Sequence, residues 1–472
     1  MRFYITTTLP YVNADLHMGH VLEFARTDVI ARYKRLMGYE VFYNTGTDEH
    51  GLKIYRKSQE EGKTPKEYVD YFAERMKGLI GLLGISEHNF IRTTDENHIK
   101  AAQEFWKRCN DNGYIYKKTY STQYCVGCES EKTDSELVDG KCPDHPNMNI
   151  EKIDEENYFF KFSEFQERLL EMYQEIPDFV VPDFRFNEIK NFVKAGLQDF
   201  SISRLKSKQP WGIEVPNDPD HTMYVWFDAL VNYISAIGWP EDTKKFNSWW
   251  PVVQYCGKDN LRYQAAIWQS MLMAAGVSPS KQIIINGFIT GAGGLKMSKT
   301  IGNVVDPRDI INEYGAEALR LYLCKEVNQF EDSPFTLEGF KESYNANLAN
   351  GLGNLVSRVM KMAEVNLSQP VELDKSVLPA EYTENLESFE IKKAAEFIWK
   401  EISMQDMKIQ ETKPFSLIKI KPEKAKAIIT ELVQKIYSIA HMLTPFMPET
   451  AEKIKKLVTE NKSPETPLFL RK

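Results

Sequence analysis

The pattern of apolar and polar residues at the start of the chain predicts a strand, a helix and a second strand. Residues 2–8, RFYITTT, are rich in β-branched and aromatic side chains, which is typical of a strand. From residue 19 to residue 37, apolar residues recur at helical spacing. Residues 39–51, YEVFYNTGTDEHG, predict a second strand that runs into a loop. Because this order forms a βαβ unit, we expect a parallel sheet with a ligand site at the strand ends.

The rest of the chain divides into regions of different pattern. Helical spacing covers 65–84 and 97–113, whereas 116–219 has short strands and turns and contains the paired cysteines. Strand and helix patterns return at 223–290, and from about residue 336 the sequence is almost wholly helical. We therefore predict an α/β fold: a doubly wound, Rossmann-like parallel-sheet domain, split by an insertion and followed by an α-helical bundle.

Composition restricts the class of protein. At 472 residues the chain is too long for a single core, and 42% hydrophobic with 27% charged residues is ordinary for a soluble globular enzyme. No secretory signal and no apolar run of membrane-spanning length is visible, so we expect a cytoplasmic protein with no membrane partner. The net charge of −8 argues against a protein coated in nucleic acid, although a local basic track can still bind RNA.

Two histidines stand where the first strand gives way to the first helix. The segment LPYVNADLHMGH, residues 9–20, contains His17, Gly19 and His20. A helix N-terminus is an anion site, and histidines there can donate hydrogen bonds to a phosphate as charge builds on it. Gly19 lacks a side chain, so a flat ring or a phosphate can approach the backbone. Taken alone, His-x-x-His is more often two surface histidines than a phosphate site.

A second candidate for phosphate chemistry is the loop GAGGLKMSKT, residues 291–300. Its glycines predict a mobile loop, and Lys296 and Lys299 follow, three residues apart. Two lysines on a flexible loop suit a leaving polyphosphate, whose charge must be neutralised only as the bond breaks. A solvated basic loop is the alternative.

Three cysteines and a histidine have the spacing of a metal site. CVGC places Cys125 and Cys128, and CPDH places Cys142 and His145, with 13 residues between the pairs. Three thiolates and one imidazole suit a closed tetrahedral site, so we predict one structural Zn²⁺ per chain. The surrounding segment is polar, so metal binding would supply much of its folding free energy. The cysteines at 109, 256 and 324 are isolated and are predicted to be packing residues.

Together, HMGH after the first strand and KMSKT after a late strand resemble the two signature motifs of class I aminoacyl-tRNA synthetases. The resemblance implies that an amino acid carboxylate attacks the α-phosphate of ATP, bound with Mg²⁺, and that pyrophosphate leaves. His17 and His20 would stabilise the transition state. Lys296 and Lys299 would hold the departing pyrophosphate. Gly19 and Lys299 would contact ATP.

The tripeptide GKD, which follows the strand PVVQYC, resembles the ribose-binding turn of the same family. By that resemblance Gly257 and Asp259 would bind ATP, and Asp259 would accept hydrogen bonds from the ribose hydroxyls. On its residues alone, the tripeptide is equally a turn with a helix cap.

Several segments resemble the methionyl-tRNA synthetase family in particular, over nearly the whole chain: LPYVNADLHMGH, GTDEHG, YVWFDALVNYI, the Cys₃His knuckle and NLVSR. By that resemblance Asp48 would hold the substrate ammonium. The methionine pocket would be lined by Leu9, Tyr11, Trp226, Ala229, Tyr233 and Trp268. A thioether sits well against aromatic rings, so such a lining suits methionine. On its pattern alone, YVWFDALVNYI is a core-facing segment.

The helix after GKD departs from the family pattern. It has Asn260 where an isoleucine is usual, and Gln264 where a histidine stands one turn before Trp268. Gln264 can still donate a hydrogen bond toward a sulfur or toward the Tyr233 hydroxyl, so we place it among the substrate-binding residues. An unpaired Asn260 amide beside a thioether would cost about 1–3 kcal/mol.

The resemblance also implies domain bounds. A catalytic domain would comprise 1–115 and 220–300, with the connective insertion and its zinc knuckle at 116–219. A linker that contacts the tRNA stem would follow the KMSKT loop at 301–340. A helical anticodon-binding domain would cover 341–472.

Within that last domain, the resemblance names three residues that would read the tRNA(Met) anticodon. Asn354 and Arg358, one helical turn apart, would contact its bases. Phe415, in KPF, would stack on a base where the family normally has a tryptophan.

The expected partners are therefore tRNA(Met), ATP and L-methionine. The chain stops at LFLRK after the bundle, so a monomer is expected. The insertion of about a hundred residues leaves little room for a hydrolytic editing domain. The alternatives are another class I synthetase without editing, a related nucleotidyltransferase with no RNA partner, and a catalytically inactive RNA-binding relative.

Overall fold

The computed structural model of the protein describes residues 1–294, 305–373 and 378–472. Its internal contacts group the chain into two compact units. The first unit contains residues 1–16, 40–78 and 87–285, and the second contains residues 17–39, 79–86 and 286–472.

Strands and helices alternate in the first part of the chain, and helices dominate its last third. The described strands are β1 Arg2–Thr6, β2 Glu40–Thr47, β3 Asn89–Arg92, β4 Ile115–Cys125, β5 Ser130–Lys132, β6 Glu151–Phe160, β7 Val180–Val181, β8 Phe200–Ser201, β9 Ser203–Leu205, β10 Glu214–Val215, β11 Asp218–Met223, β12 Val253–Gly257, β13 Gln282–Asn286, β14 Ile289–Thr290 and β15 Ser333–Pro334. The described α-helices are α1 Met18–Leu36, α2 Leu52–Glu60, α3 Pro65–Leu82, α4 Glu96–Asp111, α5 Gln166–Glu175, α6 Asp183–Lys194, α7 Val225–Ala229, α8 Asn232–Ser235, α9 Thr243–Trp249, α10 Trp268–Ala274, α11 Pro307–Tyr314, α12 Ala316–Lys325, α13 Leu337–Ser343, α14 Asn354–Asn366, α15 Ala380–Glu387, α16 Ile391–Thr412, α17 Pro414–Leu417, α18 Pro422–Leu443 and α19 Pro448–Glu460.

The main sheet of the first unit has, among the described residues, the strand order β3-β2-β1-β12-β13-β7. The pairings of β1 with β2 and β12, of β2 with β3 and of β13 with β7 are parallel. The chain order reverses at β1, and open parallel sheets bind ligands in the crevice at the carboxyl ends of the strands at such a point. The turn Lys258–Asn260 follows β12 at that end of the sheet. The predicted α/β fold with a parallel sheet and a helical C-terminal region is confirmed.

The core of the first unit is aromatic where it meets helix α4. Ala101, Ala102 and Phe105 recur at helical spacing on α4 and are buried. The Phe105 ring lies 5.6 Å from the Trp268 ring and 5.7 Å from the Trp239 ring. Aromatic pairs at such separations contribute about 0.5–1.5 kcal/mol beyond the burial of their area. This packing fixes the ring of Trp268, one of the predicted pocket residues.

The predicted insertion contains a second sheet, with the strand order β5-β4-β6-β8. Strands β4 and β6 pair antiparallel from Ile115 opposite Phe160 to Tyr124 opposite Glu151. Helices α5 and α6 also lie in this region, so the expectation of short strands and turns alone is wrong there. Strand β7 pairs with β13, so this part of the region belongs to the main sheet.

In the second unit, helix α1 is anchored by buried charged side chains. Arg26 donates hydrogen bonds of 2.9–3.1 Å to the Asn286 side chain and to the backbone carbonyls of Leu323, Val327, Asn328 and Gln329. Asp28 pairs with Arg320 at 2.7 Å. Arg320 donates further to the carbonyls of Pro445 and Phe446 at 3.2 Å. Helix α1 is therefore held by α12 and by the segment that follows α18.

The carboxylate of Asp28 stays ionised although it is buried. Burial raises the pKa of Asp28, but the guanidinium groups of Arg320 and Arg32 outweigh burial, and that pKa is lowered. Within the described ranges, no helix combines the length and the apolar character that a membrane crossing needs.

Candidate active site

The two histidines of HMGH cap helix α1. His17 is the N-cap residue, and its Nδ1 accepts a hydrogen bond from the backbone N–H of Gly19 at 3.1 Å. The Nδ1 of His20 accepts from the backbone N–H of His17 at 3.2 Å. The two rings are stacked, with centroids 3.9 Å apart. This is a reciprocal capping box in which histidines take the usual places of Ser or Thr and Glu.

The capping bonds determine which ring nitrogens can act on a ligand. A backbone N–H can only donate, so Nδ1 of each ring is unprotonated and the hydrogen of the neutral ring is on Nε2. Burial and the neighbouring His17 ring lower the pKa of His20, which keeps that ring neutral at pH 7. Each Nε2–H is thus a donor at the N-terminus of a helix, where partial positive charge favours a phosphate.

Gly19 lies close to the His17 ring. A Cβ at residue 19 would lie 3.0 Å from Cε1 and 3.1 Å from Nδ1 of His17, so a side chain there would require the ring to shift by a few tenths of an ångström.

Asp259, in the predicted ribose-binding turn, is exposed directly after β12. It accepts a hydrogen bond from the Asn260 side-chain amide at 3.2 Å, so that amide has a partner. Gly257 ends β12. The predicted lysines Lys296 and Lys299 lie outside the described residues.

Asp48 follows strand β2 and is joined to the loop after β1. Its backbone N–H donates to the Pro10 carbonyl at 3.0 Å, and its carbonyl accepts from Val12 at 3.1 Å, so Tyr11 and Asp48 form a parallel bridge. The Oδ1 of Asp48 is buried and, among the described residues, has no hydrogen-bond partner. This oxygen is available to an incoming cation.

The electrostatic environment of Asp48 disfavours its negative charge. Burial raises the pKa of Asp48 well above its ordinary value, and the nearby carboxylates of Asp228, Glu129 and Glu49 raise it further, although a hydrogen bond from the His50 backbone opposes them. One of these neighbours has a cationic partner of its own, since Arg92 lies 2.6 Å from Glu49, and His50 lies 3.2 Å from Asp228. A cationic ligand at Asp48 would relieve this repulsion.

The aromatic residues of the predicted lining lie in the first unit, on elements that are far apart in sequence. Tyr233 and Trp268 are buried, with ring centroids 5.9 Å apart. Trp226 stacks on Tyr263, a residue that the sequence did not indicate, with centroids 3.9 Å apart. A cavity of about 640 Å³ is lined in part by Trp226, Tyr263 and Asp259.

The other members of the predicted lining differ in burial. Ala229 is buried, whereas Leu9 and Tyr11 are half-buried. Gln264 is buried one turn before Trp268 and donates a hydrogen bond of 2.7 Å to the Tyr233 hydroxyl. The glutamine therefore makes the contact expected of the histidine that it replaces.

The four predicted metal ligands lie together. One ligand atom from each of Cys125, Cys128, Cys142 and His145 lies within 4.8 Å of all the others. Cys128 Sγ is 3.4 Å from Cys142 Sγ and 3.2 Å from His145 Nδ1. Ligands at about 2.3 Å from a tetrahedral Zn²⁺ stand about 3.8 Å apart, so the group fits such an ion.

Gly127 makes room for the histidine ligand. A Cβ at this position would lie 2.4 Å from Cγ of His145. The glycine inside CVGC is therefore needed for the Cys₃His group, because any side chain there would displace the imidazole.

Glu129, the residue after Cys128, is a buried contact that sequence reasoning missed. Its Oε1 accepts hydrogen bonds from the Tyr11 hydroxyl at 3.1 Å and from the Lys53 backbone at 2.6 Å. Its Oε2 accepts from the Tyr124 hydroxyl at 2.5 Å. The carboxylate thus joins the knuckle to the loop that carries Tyr11. Only its position beside a ligand cysteine could have drawn attention to it.

The candidate anticodon residues lie in the second unit on different helices. Asn354 is exposed at the start of α14, and Arg358 follows one turn later. Arg358 pairs with Asp406 of α16 at 3.1 Å. Phe415, on α17, is 52% exposed, which is unusual for a phenylalanine and leaves its ring face available for stacking.

Comparison with family models gives two neighbouring matches, which together cover residues 3–467. Residues 3–152 and 146–360 match the family described as class I tRNA synthetases (M). Residues 361–467 match the anticodon binding domain of methionyl tRNA ligase.

Individual relatives are similar over most of the chain. The methionine–tRNA ligase of Clostridium acetobutylicum is 43% identical over 472 residues, covering 96% of this chain and 73% of that protein. The methionine–tRNA ligase of Thermotoga maritima is 38% identical, covering 98% and 76%. The structure of the Mycobacterium tuberculosis methionyl-tRNA synthetase with methionyl-adenylate has a TM-score of 0.91 and 34% identity, with 100% of both chains covered.

Proposed function

The chain belongs to the methionyl-tRNA synthetase family of class I tRNA synthetases, the methionine–tRNA ligases, and from this membership we propose how its own residues activate methionine with ATP and transfer it to tRNA(Met). The observation that carries the proposal is the buried, unpartnered Oδ1 of Asp48 beside Tyr11. A carboxylate held beside aromatic rings fits an amino acid with a cationic ammonium group and an apolar side chain.

Substrate binding divides into a charged and an apolar part. Asp48 holds the methionine ammonium, because cation binding offsets the repulsion from the surrounding carboxylates. The methyl thioether lies against the rings of Tyr233 and Trp268, since a polarisable sulfur makes favourable contacts with aromatic rings. Leu9, Tyr11, Trp226 and Ala229 complete the lining.

Activation is a displacement at phosphorus. A methionine carboxylate oxygen forms a bond to the α-phosphorus of ATP as the bond to pyrophosphate breaks, which gives methionyl-adenylate. His17 and His20 donate from Nε2 to the α-phosphate as its charge develops, and their neutral rings need no proton transfer. Asp259 accepts from the ribose hydroxyls beside Gly257.

Lys296 and Lys299 hold the departing pyrophosphate, and Mg²⁺ that enters with ATP would supply further charge neutralisation. Because Lys299 follows a glycine-rich loop, it acts on the transition state, as pyrophosphate leaves, more than on bound ATP. In the second step a ribose hydroxyl of the tRNA terminus attacks the methionyl carbonyl and AMP leaves.

One Zn²⁺ bound by Cys125, Cys128, Cys142 and His145 would be structural. Four protein ligands leave no open position, so the ion would supply folding free energy and no reaction step. Selection of tRNA(Met) is assigned to the exposed Asn354 and Phe415 and the half-buried Arg358, whose polar and aromatic groups suit unpaired bases.

The direct test is amino-acid-dependent ATP–pyrophosphate exchange with each of the twenty amino acids. Methionine is expected to be activated well ahead of leucine, isoleucine and cysteine, and ahead of norleucine, which replaces the sulfur by a methylene. Another amino acid in the lead would overturn the pocket assignment, although activation itself would still stand.

A further inference from the structure

A chain of buried hydrogen bonds ends on the pocket hydroxyl of Tyr233. The Ser280 hydroxyl donates to Gln254 Oε1 at 2.6 Å. Gln254 Nε2 donates to Gln264 Oε1 at 2.7 Å, and Gln264 Nε2 donates to the Tyr233 oxygen at 2.7 Å. All four residues are buried: Tyr233 on α8, Gln254 on β12, Gln264 on the helical segment after β12, and Ser280 just before β13. Gln254 lies ten residues before Gln264, in the strand PVVQYC, and is not one of the predicted site residues.

Backbone groups at the Ser280 end of this series of hydrogen bonds determine which group donates and which accepts at each link. A side-chain amide can turn over and exchange its donor for its acceptor, so a single amide does not determine a direction. Gln269 cannot turn over, because its Oε1 accepts from the backbone N–H of Ser280 at 2.9 Å and its Nε2 donates to the backbone carbonyl of Gln264 at 2.7 Å. The same Nε2 lies 3.2 Å from the Ser280 hydroxyl oxygen and donates to it.

Each link then fixes the next. The Ser280 oxygen could accept from both Gln269 and Gln254, but among the described residues its one hydrogen has Gln254 Oε1 as its only acceptor, and a buried hydroxyl hydrogen without an acceptor is costly, so it is directed there. Gln254 receives that hydrogen on its oxygen, so its amino group faces Gln264. Gln264 must present its own amino group to Tyr233. The Tyr233 oxygen accepts, and its hydrogen is directed away from Gln264.

We propose that Gln254 is a specificity-determining positioning residue: by fixing the amide of Gln264, it makes the Tyr233 hydroxyl a donor toward the thioether sulfur of the substrate. The inference rests on the proposed methionine pocket. Sulfur accepts a weak hydrogen bond, whereas the methylene at the same place in norleucine accepts none. Gln254 itself touches neither substrate.

The test is the ratio of kcat/KM for methionine to kcat/KM for norleucine in ATP–pyrophosphate exchange, measured for Gln254→Met. This change keeps the length of the side chain and removes both polar atoms. Gln264 is then free to turn its oxygen to Tyr233, which donates to Gln264 instead of to sulfur. We expect the ratio to fall about fivefold to tenfold, through KM for methionine, with norleucine little changed.

Gln254→His is the matched control. A neutral imidazole has one acceptor nitrogen for Ser280 and one N–H for Gln264, so it preserves the direction of the chain and should restore the ratio. Where Gln254→Met does not fold, Ser280→Ala removes the hydrogen that orients Gln254 and provides the same measurement. Equal loss with both substrates, or an unchanged ratio, overturns the inference. Absence of methionine activation by the wild-type chain overturns the proposed function and this inference with it.

Discussion

At the scale of single residues, the proposed role of Asp48 requires a negative charge that its surroundings disfavour. Its carboxylate must be ionised to bind an ammonium group, yet burial and the neighbouring Asp228 raise its pKa. A raised pKa means that the protonated, non-binding form persists to a higher pH than for an ordinary carboxyl group, whose pKa is about 4.

We therefore expect KM for methionine to rise as pH falls through the raised pKa of Asp48, while KM for ATP changes less. Asp48→Asn should raise KM for methionine at least about thirtyfold, which corresponds to about 2 kcal/mol, and should remove this pH dependence. Norleucine is the control substrate, because it has the same ammonium group and must follow the same pH profile. A profile that Asp48→Asn leaves intact would assign the titration to another group.

His20 offers a second test, because its two nitrogens have separate tasks. Asparagine at this position retains an acceptor near Nδ1 for the His17 backbone, whereas glutamine retains a donor near Nε2. If Nε2 acts on the phosphate, His20→Asn should lower the adenylation rate about 100- to 1,000-fold with little loss of thermal stability. His20→Gln should retain more activity and lose more stability. The reverse order of activity would mean that the histidine only caps α1.

At this scale, the sequence indicated residues that stand in motifs and missed those that act through contacts. Gln264 was found because it replaces an expected histidine beside Trp268. Glu129 and Gln254 were not found, because their partners are distant in the chain or belong to a different element. Hydrogen-bond chains of this kind depend on how strands and helices meet, which local pattern does not contain.

At the scale of elements, the Cys₃His knuckle depends on one glycine, Gly127, which leaves room for the His145 ring. The Cβ of Gly127→Ala would overlap the His145 ring, so this variant should lose zinc nearly as completely as Cys128→Ser. Metal analysis of wild type should give about one zinc per chain. Cys109→Ala, at a buried cysteine outside the group, should retain it. Full zinc content in Cys128→Ser would refute the ligand set.

The elements with strong periodicity were predicted well. The strand predicted at 2–8 is β1, and the helix predicted at 19–37 is α1, which runs from Met18 to Leu36. Helix α6 was missed, although Phe186, Ile189 and Val193 are buried at helical spacing, because polar strands and cysteines dominate the region. Strand β7 could not be predicted from the sequence, since its two residues form a strand only by pairing with β13.

At the scale of the whole molecule, a substitution at a candidate anticodon residue should impair tRNA charging without impairing amino acid activation. Arg358→Ala removes a half-buried guanidinium from α14 and should lower kcat/KM for tRNA charging about tenfold to a hundredfold. ATP–pyrophosphate exchange should be unchanged, since that reaction uses no tRNA. Lys361→Ala, on the same helix, removes a charge of the same sign and should have little effect on charging. Equal charging by Arg358→Ala and wild type would refute the anticodon role.

The contacts that anchor helix α1 limit how the C-terminal helical bundle of this protein can be exchanged for that of a relative. Arg320 ties Asp28 to the carbonyls at 445 and 446, and Lys34 pairs with Glu387 at 2.5 Å. The helix that begins with HMGH is thus joined to residues hundreds of positions downstream. In a chimera of the N-terminal 340 residues with a foreign bundle, the Asp28–Arg320 pair stays within one part and any bundle supplies backbone carbonyls, whereas a partner for Lys34 depends on the sequence of the new bundle. Without an acidic residue in the place of Glu387, the buried Lys34 ammonium would lose this ion pair. Exchange of the bundle between relatives must therefore keep an acidic residue opposite Lys34.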